Sequence, residues 1–149
     1  MNSELLLVQA SCNGKMECLF ENRDLTLDIA VKNISPYTIG LPLQYIQAKG
    51  PYLTLIDNAT QTKVVLKTGL PKFGLKNVLT TVKPGDVVHL SSVLKARELT
   101  EFRSRRTDIS VRIELSTQVD IGSASQPPTH DLRNFEASTT LRILSQESP

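Results

Sequence analysis

The clearest pattern in the chain is Leu25 to Asn33, where apolar Leu25, Leu27, Ile29 and Val31 alternate with Thr26, Asp28, Ala30 and Lys32. Side chains of a strand point alternately to opposite faces, so a period of two predicts a half-buried strand leaving its sheet at Asn33-Ile34-Ser35-Pro36. Two later segments repeat the pattern. Asp108–Leu115 turns Ile109, Val111, Ile113 and Leu115 inward, and Phe135–Ile143 does the same with Phe135, Ala137, Thr139, Leu141 and Ile143. Three strands therefore share one apolar seam.

The remaining segments are shorter and bounded by turn residues. Leu5–Ala10, Asn13-Gly14 and Met16–Phe20 read as a hairpin, because both central residues tolerate positive φ. Tyr37–Ile46 reads as a strand bent at Gly40-Leu41-Pro42. Tyr52–Ile56 and Lys63–Lys67 flank the turn cluster Asp57-Asn58-Ala59-Thr60. Gly69–Gly74 reads as a loop. Val78–Val82 and Val87–Leu94 are strands on either side of Pro84-Gly85. Lys95–Phe102 is a short helical turn, with Leu99 and Phe102 on one side. Asp120–Asn134, with Pro127-Pro128, reads as a long loop. Eight to ten short strands with one helical turn near 95–102 predict an all-β fold, an immunoglobulin/fibronectin-like Greek-key β-sandwich. The 149 residues fit a single domain with a polar tail from about 145.

Composition narrows the function classes. Hydrophobic residues are 40% and charged residues 21%, and 17 basic against 15 acidic residues leave a net charge of +2. Nucleic-acid-binding domains concentrate positive charge on one face, so no nucleic acid is expected as partner. The densest basic run, Arg103, Arg105 and Arg106, reads as solvated surface. No apolar run approaches the roughly 18 residues that span a bilayer, and no membrane insertion is expected. Leu5–Ala10 has no basic flank and is too short for a signal peptide, so the expected location is cytoplasmic, or secreted or periplasmic if a signal peptide has been removed.

Candidate chemistry is sparse. In a two-residue hairpin, Cys12 faces Lys15 and Cys18 faces Gln9, too far along the ladder for a disulfide, although a wider loop would close one. With a reducing compartment expected, free thiols are the expectation. Cys-x5-Cys, His89 and His130 match no standard metal spacing, so no metal and no cofactor are expected. His130 beside Asp131 lacks a nominated nucleophile, and Ser92-Val93-Leu94-Lys95 is a bare Ser-x-x-Lys without companion motifs. The chain is expected not to be an enzyme. Asn33-Ile34-Ser35 and Asn58-Ala59-Thr60 match the glycosylation pattern, but at turns those residues are favoured by backbone hydrogen bonding.

Three pieces in order carry a family resemblance: Leu25–Ser35, ending Lys-Asn-Ile-Ser; Tyr52–Val65, with Leu-Thr-Leu-Ile-Asp before a turn and Lys-Val-Val after it; and Leu79–Leu90, with Lys-Pro-Gly-Asp before a strand. Together they resemble bacterial immunoglobulin-like modules, including the intracellular proteinase inhibitor family of bacilli. The resemblance covers about half of the chain. It implies a sandwich fold and a peptidase as partner, and it carries over no inhibitory residue by position.

The function expected is binding of another protein, as a peptidase inhibitor or immunity-type protein, because loops on a sandwich carry function. The rival is an accessory domain of a surface or secretion assembly that docks through a strand edge. Grouping the connections Ser35–Gly40, Gly69–Leu75 and Asp120–Asn134 at one end nominates Tyr37, Leu70, Pro71, Phe73, Pro127, Pro128 and His130 as contact residues.

Overall fold

The computed structural model describes residues 5–12, 15, 17–70, 72–102, 107–122 and 130–145, with the main chain alone for Phe73, Asn77, His130 and Asp131. The Arg103–Arg106 run, Pro71, Pro127, Pro128 and the tail beyond Ser145 lie outside the described residues. The fold is all-β. Among the described residues, ten strands form two sheets: β1 (Leu6–Ser11), β2 (Glu17–Phe20), β3 (Leu25–Asn33), β4 (Thr38–Leu41), β5 (Tyr52–Asp57), β6 (Thr62–Val65), β7 (Thr80–Val82), β8 (Val87–Leu94), β9 (Asp108–Gly122) and β10 (His130–Ser145). Helix α1 (Leu43–Lys49) lies between β4 and β5, and α2 (Ala96–Thr100) between β8 and β9.

The small sheet has the order β1-β3-β8, antiparallel throughout. The large sheet runs β2-β10-β9, and the far edge of β9 is shared by β4 and β5. The inner faces meet in one buried cluster. Leu27, Ile29 and Val31 of β3 are fully enclosed, as are Ile109, Val111 and Ile113 of β9 and Leu141 and Ile143 of β10. Burying each such side chain is worth about 1.5–3 kcal/mol, which fixes strand register, because a slip of one residue would turn each set to solvent. The three alternating segments thus form the core that their sequence predicts.

The segment Tyr37–Ile46 is not one strand. β4 stops at Leu41 and α1 follows, since Pro42 has no N–H to continue a ladder and Leu43 and Ile46 share a helical face. Gly50 ends the helix at φ +87°, its N–H bonded to the Ile46 carbonyl at 2.7 Å. Tyr45 and Ile46 are buried, while Gln47 reaches the small sheet: its Nε2 donates to the Ser91 carbonyl at 2.9 Å and its Oε1 accepts from the Ser91 N–H at 3.0 Å. That one amide covers part of the open edge of β8. Asp120–Asn134 is not a continuous loop either. The inward alternation continues through buried Val119 and Ile121, so β9 extends to Gly122, and β10 begins at His130.

The expectation of free thiols is overturned: Cys12 and Cys18 form a disulfide, with Cα atoms 5.6 Å apart. The hairpin register assumed that β2 continues the ladder of β1. Cys12 and Lys15 do exchange both main-chain hydrogen bonds, at 2.8 and 2.9 Å, but the pairing ends there. β2 instead joins β10 in the other sheet, parallel, with Cys18 opposite Ile143. The disulfide therefore locks the point where the chain crosses between sheets. Among the described residues, no helix is long and apolar enough to cross a membrane.

Intact mass of the unreduced protein is expected to show a two-hydrogen deficit and no alkylation after denaturation. The Cys12→Ser/Cys18→Ser double variant is expected to lose about 2 kcal/mol in urea unfolding, the loop-closure value for so short a ring. Unchanged stability would mean that the crossing is held by packing alone.

Candidate functional site

The large sheet carries an interruption that its sequence does not announce. β4 pairs with the end of β9 from Thr38↔Gly122 to Gly40↔Asp120, and β5 resumes on the same edge from Tyr52↔Glu114 to Asp57↔Ile109. Both strands run antiparallel to β9, so β4 and β5 are one strand broken by α1. Their outer partners are broken at the same level. β7 pairs with β4 and β6 with β5, and the intervening chain holds a 3-10 turn at Phe73–Asn77 beside α1. Gly69 is required where this chain crosses the helix end: its N–H bonds to the Lys49 carbonyl at 2.6 Å, and a Cβ would stand 2.7 Å from the Ala48 oxygen.

The interruption leaves a cleft of about 540 Å³ on the outer face of the large sheet. Its floor is Ser116, Thr117, Gln118 and Asp120 of β9. Its walls hold Tyr45 and Lys49 from α1, Tyr52 from β5 and Lys76 from the 3-10 turn. Both tyrosines carry a cation on the ring. The Lys49 ammonium lies 4.6 Å from the Tyr52 centroid and donates to the Tyr52 hydroxyl, and the Lys76 ammonium lies 5.4 Å from the Tyr45 centroid. Leu79 and Leu132, both exposed, form an apolar rim. Gly40 gives Leu79 its place, because a Cβ there would stand 3.0 Å from the Leu79 Cδ1.

The nominated contact residues fall into two groups. Tyr37 precedes Thr38, which pairs with Gly122, and Gly122 pairs with His130, so Tyr37 and His130 share the tip of the β9–β10 hairpin. His130 is thereby a strand residue rather than a loop residue. Leu70, 88% exposed, follows Gly69 at the C-terminal end of α1, on the level of Tyr52 and Glu114. Eight residues of β9 separate that level from Gly122, about 27 Å along the strand. The expected clustering of Tyr37 with Leu70 at one end does not occur. Phe73 opens the 3-10 turn.

Tyr37 is 51% exposed, yet its main chain is fixed. Fully buried Asn33 donates through Nδ2 to the Tyr37 carbonyl at 2.6 Å and to the Val82 carbonyl at 2.9 Å. Its Oδ1 accepts from the Ser35 N–H at 3.0 Å and the Ser35 hydroxyl at 2.7 Å. The amide is satisfied on both sides, and it ties the loop after β3 to the end of β7. Asn58 is engaged in the same way, donating to Asp108 at 2.9 Å and Ser110 at 3.0 Å. Both glycosylation patterns therefore mark structural asparagines. His89 is exposed and lies 3.2 Å from Asp28 across the small sheet. Among the described residues, no group of three or more His, Cys, Asp or Glu is placed to hold a metal ion.

At the end of the large sheet opposite the tip, Arg142 makes a two-pronged ion pair with Asp108, at 2.9 and 2.8 Å. The hydrogen bonds from Arg142 and then Asn58 hold the Asp108 carboxyl down to about 2, against an ordinary value of 3.8.

No protein-family model and no curated protein matches the chain. Among solved structures, the X-ray structure of Northeast Structural Genomics Consortium target SoR45 aligns over 93% of this chain and 83% of its own, at 10% identity and a TM-score of 0.38. A score that low carries no argument about fold or function.

The Asp108 ion pair predicts a pH dependence. A carboxylate with a depressed folded pKa stabilises the fold fully above about pH 4 and loses that contribution as pH falls toward 2. Asp108→Asn is expected to lower the urea midpoint at pH 7, with the difference from wild type shrinking steadily between pH 4 and pH 2. A constant difference across that window would show that the carboxylate charge is immaterial.

Proposed function

We propose that the chain is a non-enzymatic, immunoglobulin-like Greek-key module that binds another protein, with peptidase inhibition as the sharpest form of that activity. The fold part is supported by the way successive strands change sheets, from β1 to β2, from β3 to β4, and from β8 to β9 through α2. The observation that carries the binding part is Tyr37. It is a half-exposed aromatic on a main chain held by the buried Asn33 amide, so little main-chain freedom remains to be lost on association. Aromatic groups held in this way are the usual anchors of protein interfaces. The disulfide supports a place of action in an oxidising compartment, where such bonds persist.

The test compares wild type with Tyr37→Ala as immobilised bait in an extract of the native host. The variant is expected to keep its melting temperature and to lose the captured protein, a loss of about 2 kcal/mol or more for a true anchor. Retention of the same protein by a variant of equal stability would remove Tyr37 from the interface.

A further inference from the structure

The edge of β6 that faces away from β5 is paired with no strand among the described residues. Which main-chain groups stand open there follows from two hydrogen bonds. The Asn58 N–H donates to the Asp108 carbonyl at 2.9 Å, and the Leu66 N–H donates to the Leu53 carbonyl at 2.9 Å. In an antiparallel ladder, the N–H and C=O of one residue face the same neighbour, and successive residues alternate. Even-numbered residues of β5 and β9 therefore face each other, whereas odd-numbered residues of β5 face even-numbered residues of β6. Lys63 and Val65 turn both main-chain groups outward, and the alternation passes to Lys67 just beyond Leu66. Outside the β5–β6 ladder, no hydrogen bond among the described residues uses them. The side chains of all three are exposed, Val65 at 69%, on the face that carries Ile56 and Thr54.

Charge along this edge is unbalanced. Lys63 and Lys67 make no ion pair among the described residues, and the neighbouring Ile56, Thr54 and Tyr52 carry no carboxylate. Asp57 of β5 is fully buried on the opposite face, and Glu114, on β9 beyond Tyr52, is paired with Arg112 at 3.1 Å. Past the edge lies a groove of about 540 Å³ that reaches β8 and is lined by Leu53 and Leu66. Its β8 side carries Lys95 and Arg97, which also make no ion pair among the described residues. The carboxylate in that groove, Glu98, is turned onto α2, where it accepts from the Lys95 N–H at 2.9 Å, and Lys49 is engaged with Tyr52.

We propose that the open edge of β6 takes an extended segment of a partner protein with acidic residues four apart, which adds a strand to the large sheet. The main chain of that segment bonds to Lys63, Val65 and Lys67, and the residues opposite these three project onto the same outer face. Carboxylates opposite Lys63 and Lys67 then stand beside two ammoniums. The two intervening residues project on the other side, beside Leu66 and into the groove that Lys95 and Arg97 border. The same charges argue against a second copy of this chain as the occupant. In the antiparallel register that uses all three residues, each Lys63 would face the Lys67 of the other copy, and like charges placed opposite repel. The proposal takes its partner class, a protein, from the binding function proposed above, but it uses a different surface from Tyr37.

The probe is an end-capped peptide with Glu-Thr-Val-Thr-Glu at its centre, titrated into the full-length protein and followed by amide NMR and calorimetry. Saturable binding is expected, with the largest shifts at the Lys63, Val65 and Lys67 amides, weakening as salt is raised. Lys63→Gln/Lys67→Gln removes two cross-strand charge pairs and is expected to weaken binding about tenfold at an unchanged melting temperature. A Lys-Thr-Val-Thr-Lys peptide is expected not to bind. Methylating the backbone nitrogen of the central Val, which faces β6, is expected to abolish binding, whereas methylating those of the two Thr, which face away, is expected to spare it. Equal binding of the Val-methylated peptide would reduce the edge to an ionic patch and overturn strand addition, as would shifts that avoid β6. No binding of the acidic peptide would leave the lysines as guards of an open edge and overturn the proposal. If the peptide fails while Tyr37→Ala still loses its captured protein, this proposal falls and the protein-binding reading stands. If the peptide binds while Tyr37→Ala is silent, the β6 edge stands and Tyr37 leaves the interface.

Discussion

The antiparallel pairing of β9 with β10, from Asp108↔Leu144 to Gly122↔His130, is the interaction on which the rest of the molecule depends. It supplies inward side chains over the whole depth of the core, and its free edges set where every other strand of the large sheet can lie. One edge takes β2. The other is long enough to seat two separate strands, and the chain uses that length by placing β4 and β5 in line with a helix between them. Without so long a template, a strand broken in its middle would have nothing to hold its halves in register. The cleft on the outer face is a direct consequence: the pairing with β10 continues where the pairing with β4 and β5 stops.

The smaller closures follow from this frame. The small sheet has three strands, and the chain must cross repeatedly between it and the large one. Three of the five crossings among the described residues, from β1 to β2, from β3 to β4 and from β8 to β9, are each held by a specific device as well as by apolar packing. The Cys12–Cys18 bond fixes the first, the Asn33 amide fixes the exit from β3, and the capping bonds of α2 fix the last. In that helix Glu98 accepts from the Lys95 N–H at 2.9 Å, and Asp24 accepts from the Ala96 N–H at 2.8 Å. Gln47 of α1 adds a link from the broken strand to the edge of β8. Of these groups the Asn33 amide is fully buried, and a buried polar group costs more to leave unpaired than it gains when paired, so it selects one arrangement over its neighbours.

Much of the fold was legible because it rests on period-two burial. β3, the first half of β9 and the second half of β10 could be read with their inward residues, and β8 and the α2 turn could be read as elements. The misreadings share a cause: local pattern does not say which strand pairs with which. Asn13-Gly14 suggested that Cys18 faces Gln9, but β2 belongs to the other sheet, and that alone brings the cysteines together. The helix α1 was marked by Pro42 and Gly50, yet seven residues are too few for a helical period to stand out against a strand reading. The cleft was not legible at all. Tyr45, Lys49, Tyr52, Lys76 and Ser116 are scattered in sequence, and they converge only because two paired strands break at one level. Tyr37 could be nominated as an exposed aromatic, whereas the immobility of its main chain depends on a distant Val82 carbonyl.

The central claim is that β9 bears a real gap in its ladder, and hydrogen exchange at single residues tests it most directly. Leu115, Thr117 and Val119 turn their N–H groups to β10, while Ser116 and Gln118 turn theirs to the gap. The account predicts slow exchange at the first three amides and fast exchange at Ser116 and Gln118, an alternation confined to this stretch of β9. Uniform protection from Ile113 to Ile121 would mean that the edge is covered, and would contradict the account.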